Sequence, residues 1–142
     1  ARQDEGGVRA SDEESRALIR RENARGVPAD RIVLAGFSQG GAMALFTGLR
    51  YPEGLAGVMG LSCYMVLAPT LDAERHPANQ HTPFFMAHGT DDPVVAMPLG
   101  KESADLIRAR DYPLEWRTYP IPHAVSPEEI ADIAAWLRAR LP

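Results

Sequence analysis

The sequence is short of cysteine and of long apolar runs. Cys63 is the single cysteine among 142 residues, so no internal disulfide can form, and a reducing compartment is the simplest explanation. No stretch approaches the roughly 20 apolar residues of a membrane-spanning helix, and no charged-then-apolar signal sequence opens the chain. We therefore expect a cytoplasmic protein without a membrane span.

Basic clusters are also lacking. The net charge is -4, and no stripe of Lys and Arg interleaved with aromatic residues is present, so the acidic balance would repel a phosphate backbone. Hydrophobic residues make up 45% of the chain and charged residues 24%, which is typical of a globular domain with a core. We expect residues 1–142 to form a single domain that does not bind nucleic acid.

The most informative stretch is a Gly-x-Ser-x-Gly motif formed by Gly36, Ser38 and Gly40. Four apolar residues typical of a strand precede it, and an apolar segment of small residues typical of a helix follows. A serine at the apex of such a turn has a strained backbone, so we expect glycine at both flanking positions to relieve a Cβ clash. The helix N-terminus would place N–H groups beside an oxyanion. The alternative is a glycine-rich turn with an ordinary serine.

Strands and helices alternate along the chain. The patterns predict a helix over residues 11–25 with Ser11 as its N-cap, helices over 40–49 and 99–110, and a last helix capped by Ser126, with strands at 31–35, 55–61, 83–88 and 114–119. This alternation predicts an α/β fold with a mostly parallel sheet flanked by helices. Hydrolase sheets of this kind carry strands before the nucleophile strand, so we expect the N-terminal strands of the domain to be missing and the open sheet edge to favour self-association.

The segment 62–82 has no sustained period. One alternative is a disordered surface loop. The other is a wall over Ser38, which is favoured because loops of this length usually have a function. In the second case four residues would offer apolar surface to a substrate: Leu61, Tyr64, Met65 and Leu67. His76 and His81 lie in polar company, and we expect both at the surface without a metal ion.

Two acids and a histidine follow the later strands. Asp91 and Asp92 come directly after the third strand, at the end where open parallel sheets place their sites, and His123 follows the fourth. The order serine, acid, histidine is that of α/β-hydrolases, in which the histidine takes the serine proton and the carboxylate orients the histidine. Neighbouring side chains point in different directions, so only one acid reaches His123, and the residues alone leave the choice open.

Three segments together, residues 34–42, 88–95 and 119–130, resemble the carboxylesterase, lysophospholipase and acyl-protein thioesterase family. The resemblance implies an α/β-hydrolase fold with Ser38 as nucleophile, Asp92 as acid and His123 as base. It further implies that the backbone N–H of Gln39 is one oxyanion donor and that residues 61–64 lie beside the acyl groove. No cofactor or metal is implied, and the expected partner is a small-molecule or lipid-like acyl ester.

The sequence departs from the family at two points. Pro122 stands where a glycine commonly precedes the histidine, which stiffens that loop, and the early strands with the loop that supplies a second oxyanion donor are lacking. We predict a serine hydrolase of carboxylic esters or thioesters with an apolar acyl group, working through an acyl-Ser38 intermediate. The alternatives are a catalytically incompetent C-terminal portion that needs its N-terminal half, and a serine peptidase on the same fold.

Overall fold

Four parallel strands in the order β1-β2-β3-β4 form the sheet at the centre of the computed structural model, which describes residues 4–142. The strands are β1 Val33–Phe37, β2 Gly57–Leu61, β3 Phe84–Gly89 and β4 Leu114–Tyr119. The helices are α1 Glu5–Ala24, α2 Gln39–Arg50, α3 Leu71–Glu74, α4 Met97–Arg108 and α5 Pro127–Arg140. Consecutive strands pair in parallel throughout, so their carboxyl ends meet at one edge of the sheet.

The two central strands, β2 and β3, are buried along their whole length, as strands of parallel sheets usually are, whereas β1 and β4 are partly exposed. Along β3, Phe84 and Met86 belong to the core on one face, together with residues of α1, α2 and α4. Phe85 and Ala87 belong to the core on the other face, where Trp136 of α5 packs. This alternation follows from the period of two residues in a strand, and it confirms the predicted α/β architecture.

The first helix begins earlier than the sequence indicates. Asp4, not Ser11, is the N-cap, and its carboxylate accepts a hydrogen bond from the N–H of Gly7 at 3.1 Å. The capping prediction at Ser11 is therefore wrong, because the helix already has a cap about two turns earlier. Asp12 lies within this helix, is buried, and accepts a hydrogen bond from the Thr47 hydroxyl of α2 at 2.8 Å.

The other boundaries differ from expectation by a residue or two. The first strand starts at Val33 because Ala29–Arg31 forms a 3-10 turn closed by the bond from the Ile32 N–H to the Ala29 carbonyl. The last strand has the expected bounds. The last helix is capped as predicted, since the Ser126 hydroxyl accepts a hydrogen bond from the Glu129 N–H at 3.1 Å.

The segment 62–82 is folded. It contains two 3-10 turns and α3, and the buried Asn79 ties it to the turn after α2 through hydrogen bonds with the Leu55 N–H and the Tyr51 carbonyl. His81 is exposed, whereas His76 is half-buried and accepts a hydrogen bond from the Ala78 N–H. Within residues 4–142, no helix combines the length and apolar character needed to span a membrane.

Candidate active site

Ser38 lies at the sharp turn between β1 and α2. Its backbone has φ 58° and ψ -120°, a conformation that costs a non-glycine residue about 1–3 kcal/mol. The Ser38 N–H donates to the Leu61 carbonyl at 2.7 Å, and its carbonyl accepts from the Ala42 N–H at 3.0 Å. The turn is therefore held from both sides, by the neighbouring strand and by the first helical bond of α2.

The two glycines that this turn requires for close packing are not the same pair as the two flanking glycines of the motif. A Cβ on Gly36 would lie 2.2 Å from the Gly40 backbone, so only glycine fits there. A Cβ on Gly40 would meet nothing within 4 Å. Gly41 is the second tight position, because its Cβ would lie 2.8 Å from the Gly36 carbonyl oxygen. The expectation that both motif glycines relieve a clash is thus wrong at Gly40: the strand end packs on the helix through Gly36 and Gly41.

Asp92 occupies the turn that follows β3. Its Oδ1 accepts hydrogen bonds from the N–H groups of Val94 at 2.8 Å and Val95 at 2.9 Å, which leaves Oδ2 for a partner across the site. Burial is the largest influence on this carboxyl and opposes its ionisation. The hydrogen bonds from His123, Val95 and Val94 together outweigh burial, so the pKa of Asp92 lies below its ordinary value. The site therefore holds a carboxylate at neutral pH.

Asp91, by contrast, is exposed. Its side chain makes none of the hydrogen bonds found in residues 4–142, and only its N–H is bonded, to the Ile121 carbonyl at 3.1 Å. Asp92 therefore makes both the side-chain bonds of this turn and the contact with His123.

His123 is delivered by a loop that packs closely on the end of β3. A Cβ on Gly89 would lie 2.2 Å from the Ile121 carbonyl oxygen and 2.3 Å from that of Pro122, so glycine lets the two loops touch. The Thr90 N–H also donates to the Tyr119 carbonyl at 2.8 Å. The His123 ring is mostly covered, with 16% of its side chain exposed, and lies 4.8 Å from the Phe37 ring.

The three strand-end side chains meet at the carboxyl edge of the sheet. His123 Nδ1 lies 2.6 Å from Asp92 Oδ2, and His123 Nε2 lies 3.0 Å from Ser38 Oγ. A carboxylate only accepts hydrogen bonds, so Nδ1 carries the proton and Nε2 is left as the acceptor for the serine hydroxyl. This geometry is suited to removing a proton from Ser38.

A cavity of about 380 Å³ opens beside Ser38, within the size range of small-molecule sites. Most of its apolar wall comes from six side chains: Val8, Ala42, Met43, Tyr64, Val66 and Val95. Gln39, the first residue of α2, also lines it. The cavity lies between the start of α1 and the segment after β2.

Of the four residues expected to contact substrate, only Tyr64 lines this cavity. Leu61 belongs to the core on the α5 face, and Met65 is buried in the core on the opposite face. Leu67 is half-buried, outside the lining set. Cys63 does line the cavity, and burial raises the pKa of its thiol to about 12, so it stays protonated and unreactive as a nucleophile.

One residue at the site was missed by sequence reasoning. His88, the last but one residue of β3, has no exposed surface, and its Nε2 lies 3.5 Å from Asp92 Oδ2. The available signal was a histidine at the end of an otherwise apolar buried strand, four residues before the acid. Such a residue is unusual in a strand covered on both faces.

Similar proteins identify the family of this chain. Residues 1–141 match the phospholipase/carboxylesterase family. The chain belongs to this family. Acyl-protein thioesterase 1 from Gibberella zeae is 41% identical over 143 residues, covering 99% of this chain and 61% of that protein. Acyl-protein thioesterase 1 from Neurospora crassa is 44% identical over 144 residues, covering 99% of this chain and 58% of that protein. The chain thus spans about three fifths of the length of these curated relatives.

Solved structures of family members share the fold. The crystal structure of Arabidopsis thaliana SOBER1 superposes with a TM-score of 0.93 at 29% identity, covering all of this chain and 68% of that chain. The Zea mays acyl-protein thioesterase 2 structure has a TM-score of 0.84 at 27% identity and covers 71% of that chain. The four-stranded sheet described above is therefore part of an α/β-hydrolase fold.

Proposed function

We propose that the protein is a serine hydrolase that cleaves carboxylic esters or thioesters with an apolar acyl group. The observation that carries this proposal is the chain of contacts from Asp92 through His123 to Ser38, with N–O distances of 2.6 Å and 3.0 Å. Ser38 is assigned as the nucleophile, His123 as the general base and Asp92 as the orienting acid. Membership of a phospholipase/carboxylesterase family supports the reaction class.

The reaction proceeds by two displacements at the acyl carbon. Ser38 Oγ attacks the carbonyl carbon while its proton passes to His123 Nε2, and Asp92 stabilises the resulting imidazolium through the Nδ1 bond. Collapse of the tetrahedral intermediate breaks the bond to the leaving alcohol or thiol, which takes the proton from Nε2. Water then repeats the sequence on the acyl-serine, releasing the carboxylic acid and restoring Ser38.

The negative oxygen of the intermediate is assigned to the N-terminus of α2. Gln39 is the first residue of that helix, so its N–H has no partner within the helix and carries part of the positive end of the helix dipole. Loss of one such donor typically costs about 100- to 1000-fold in turnover. The N–H of Gln39 therefore contributes substantially to the proposed rate.

The acyl chain is assigned to the cavity beside Ser38. Val8, Met43, Val66 and Val95 give it an apolar wall, and among residues 4–142 the one charged residue in the lining is Asp4. The described lining therefore has no cation to hold a carboxylate, which favours an aliphatic acyl chain over a peptide carboxyl terminus. Two relatives carry the name acyl-protein thioesterase 1, which supports thioesters as one substrate class. We further propose a cytoplasmic location, supported by the unpaired, buried Cys63.

The decisive experiment is labelling with a fluorophosphonate probe, which reacts with activated serines. The parent chain should label stoichiometrically and Ser38→Ala should not label at all. Ser11→Ala is the matched control, because Ser11 lines the same cavity but makes no hydrogen bond to a histidine in residues 4–142, and this variant should label normally. Labelling of Ser38→Ala at another serine would refute the assignment. A panel of nitrophenyl esters and acyl thioesters then identifies the preferred leaving group.

A further inference from the structure

A second histidine, His88, lies beside the acid of the candidate site. The His88 side chain is fully buried, and its Nε2 lies 2.7 Å from the Val95 carbonyl oxygen and 3.5 Å from Asp92 Oδ2. The reaction described above gives this residue no role.

The hydrogen-bond partners define the tautomer of His88. A carbonyl oxygen only accepts, so Nε2 carries the proton and donates it to Val95. The same N–H also faces the Asp92 carboxylate. Nδ1 has no hydrogen-bond partner among residues 4–142 and packs against α4, where a Cβ on Gly100 would lie 2.4 Å from it. The ring is thus held with one N–H directed at the acid turn.

The bond to Val95 closes the turn that holds Asp92. The N–H of Val95 donates to Asp92 Oδ1, while the carbonyl of Val95 accepts from His88. Oδ1 is therefore held by backbone N–H groups that His88 anchors, and Oδ2 is left to face His123 at 2.6 Å. Rotation of the carboxylate would break these bonds in a region without solvent, since the Asp92 side chain has no exposed surface.

We propose that His88 is a positioning residue that orients the Asp92 carboxylate toward His123. The expected effect on turnover rests on the proposed function above, whereas the expected orientation of the Asp92 carboxylate does not. A misoriented carboxylate stabilises the imidazolium less, so loss of the His88 N–H should lower turnover and shift the acid limb of the pH profile of kcat/KM to lower pH.

Three variants separate this role from simple core packing. In His88→Gln the amide nitrogen lies three bonds from Cβ, as the histidine Nε2 does, so a donor is kept at that position. In His88→Asn the amide nitrogen lies two bonds from Cβ, as the histidine Nδ1 does. His88→Phe keeps the ring volume but has no donor. We expect His88→Phe to lower kcat by about 10- to 100-fold with little change in KM, the usual scale for misplacement by about 1 Å. His88→Gln should restore most of the lost activity and the parent pH profile.

Two readouts are measured on each variant after its melting temperature confirms folding. The first is ester turnover against pH. The second is the low-field NMR signal of the proton between His123 and Asp92, which needs no substrate. If the parent fails to turn over esters but the signal weakens in His88→Phe and recovers in His88→Gln, the proposed function fails and the positioning role stands.

Other outcomes overturn the positioning role. A folded His88→Phe variant with parent kcat, parent pH profile and an intact low-field signal would refute it, as would a Gln variant that behaves like Phe. If the His88→Phe variant does not fold, the comparison of His88→Gln with His88→Asn tests the positioning role. About tenfold higher kcat and a stronger signal in the Gln variant support the role, and equal values in the two variants contradict it.

Discussion

The glycines of the nucleophile turn offer a sharp test of the structure. In Gly36→Ala the new Cβ would lie 2.2 Å from the Gly40 carbonyl carbon and oxygen, whereas nonbonded carbon atoms prefer about 3.5–4.0 Å. The obstacle is backbone, so the strand and helix would have to separate by more than about 1 Å. Overpacking of this kind costs about 1–3 kcal/mol and occasionally more. We expect Gly36→Ala to lose about 3 kcal/mol of unfolding free energy, which is about 10 °C in melting temperature for a chain of this size.

Gly40→Ala is the matched control, four residues away in the same motif. Beyond its chain neighbours and the nearby backbone of its own helix, no atom of residues 4–142 lies within 4 Å of the added Cβ. Alanine is also favoured over glycine in a helix by about 1 kcal/mol. This variant should therefore equal or exceed the parent in stability, with Gly41→Ala between the two. Urea unfolding followed by tryptophan fluorescence gives the ranking. If Gly40→Ala were as damaging as Gly36→Ala, the packing of β1 on α2 described here would be incorrect.

Two further predictions concern the acidic residues. Asp92→Asn should lower kcat by about 10³- to 10⁴-fold, because the neutral amide no longer fixes the His123 tautomer. Asp91→Asn should change kcat and stability little. Steady-state kinetics of both variants test this, and a larger loss of kcat in Asp91→Asn would contradict it. Glu129 is fully buried, and burial raises its pKa more than the nearby Ser126 N–H lowers it. Because the folded-state pKa is raised, the parent loses stability as the pH rises above the unfolded-state pKa of this carboxyl. The unfolding free energy of Glu129→Gln should therefore exceed that of the parent by about 1–3 kcal/mol at pH 8 and by little at pH 4. An equal gain in urea midpoint at both pH values would contradict this.

The elements of the fold could be predicted where local signals agree. The last strand and the cap of α5 at Ser126 match expectation because alternation and capping depend on residues that are neighbours in sequence. The start of α1 could not be predicted. Both Asp4 and Ser11 are acceptable caps, and the Gly6-Gly7 pair argues against helix, yet the helix runs through it, with Asp12 buried against Thr47 of α2. A contact 35 residues away in sequence leaves no local pattern.

By itself the sequence determined the chemical types at the candidate site and their order. The motif around Ser38, the acid pair after one strand and His123 after the next are local features, and parallel strands bring their carboxyl ends to one edge of the sheet. Between Asp91 and Asp92 the residues alone left the choice open, and the family resemblance indicated Asp92, which is the acid that contacts His123. Only the tertiary structure decided that Gly41 rather than Gly40 makes the close helix contact and that His88 lies beside the acid. These outcomes depend on how closely the turns at the strand ends pack on the neighbouring strands and helices, which the packing of the whole sheet sets and no short pattern encodes.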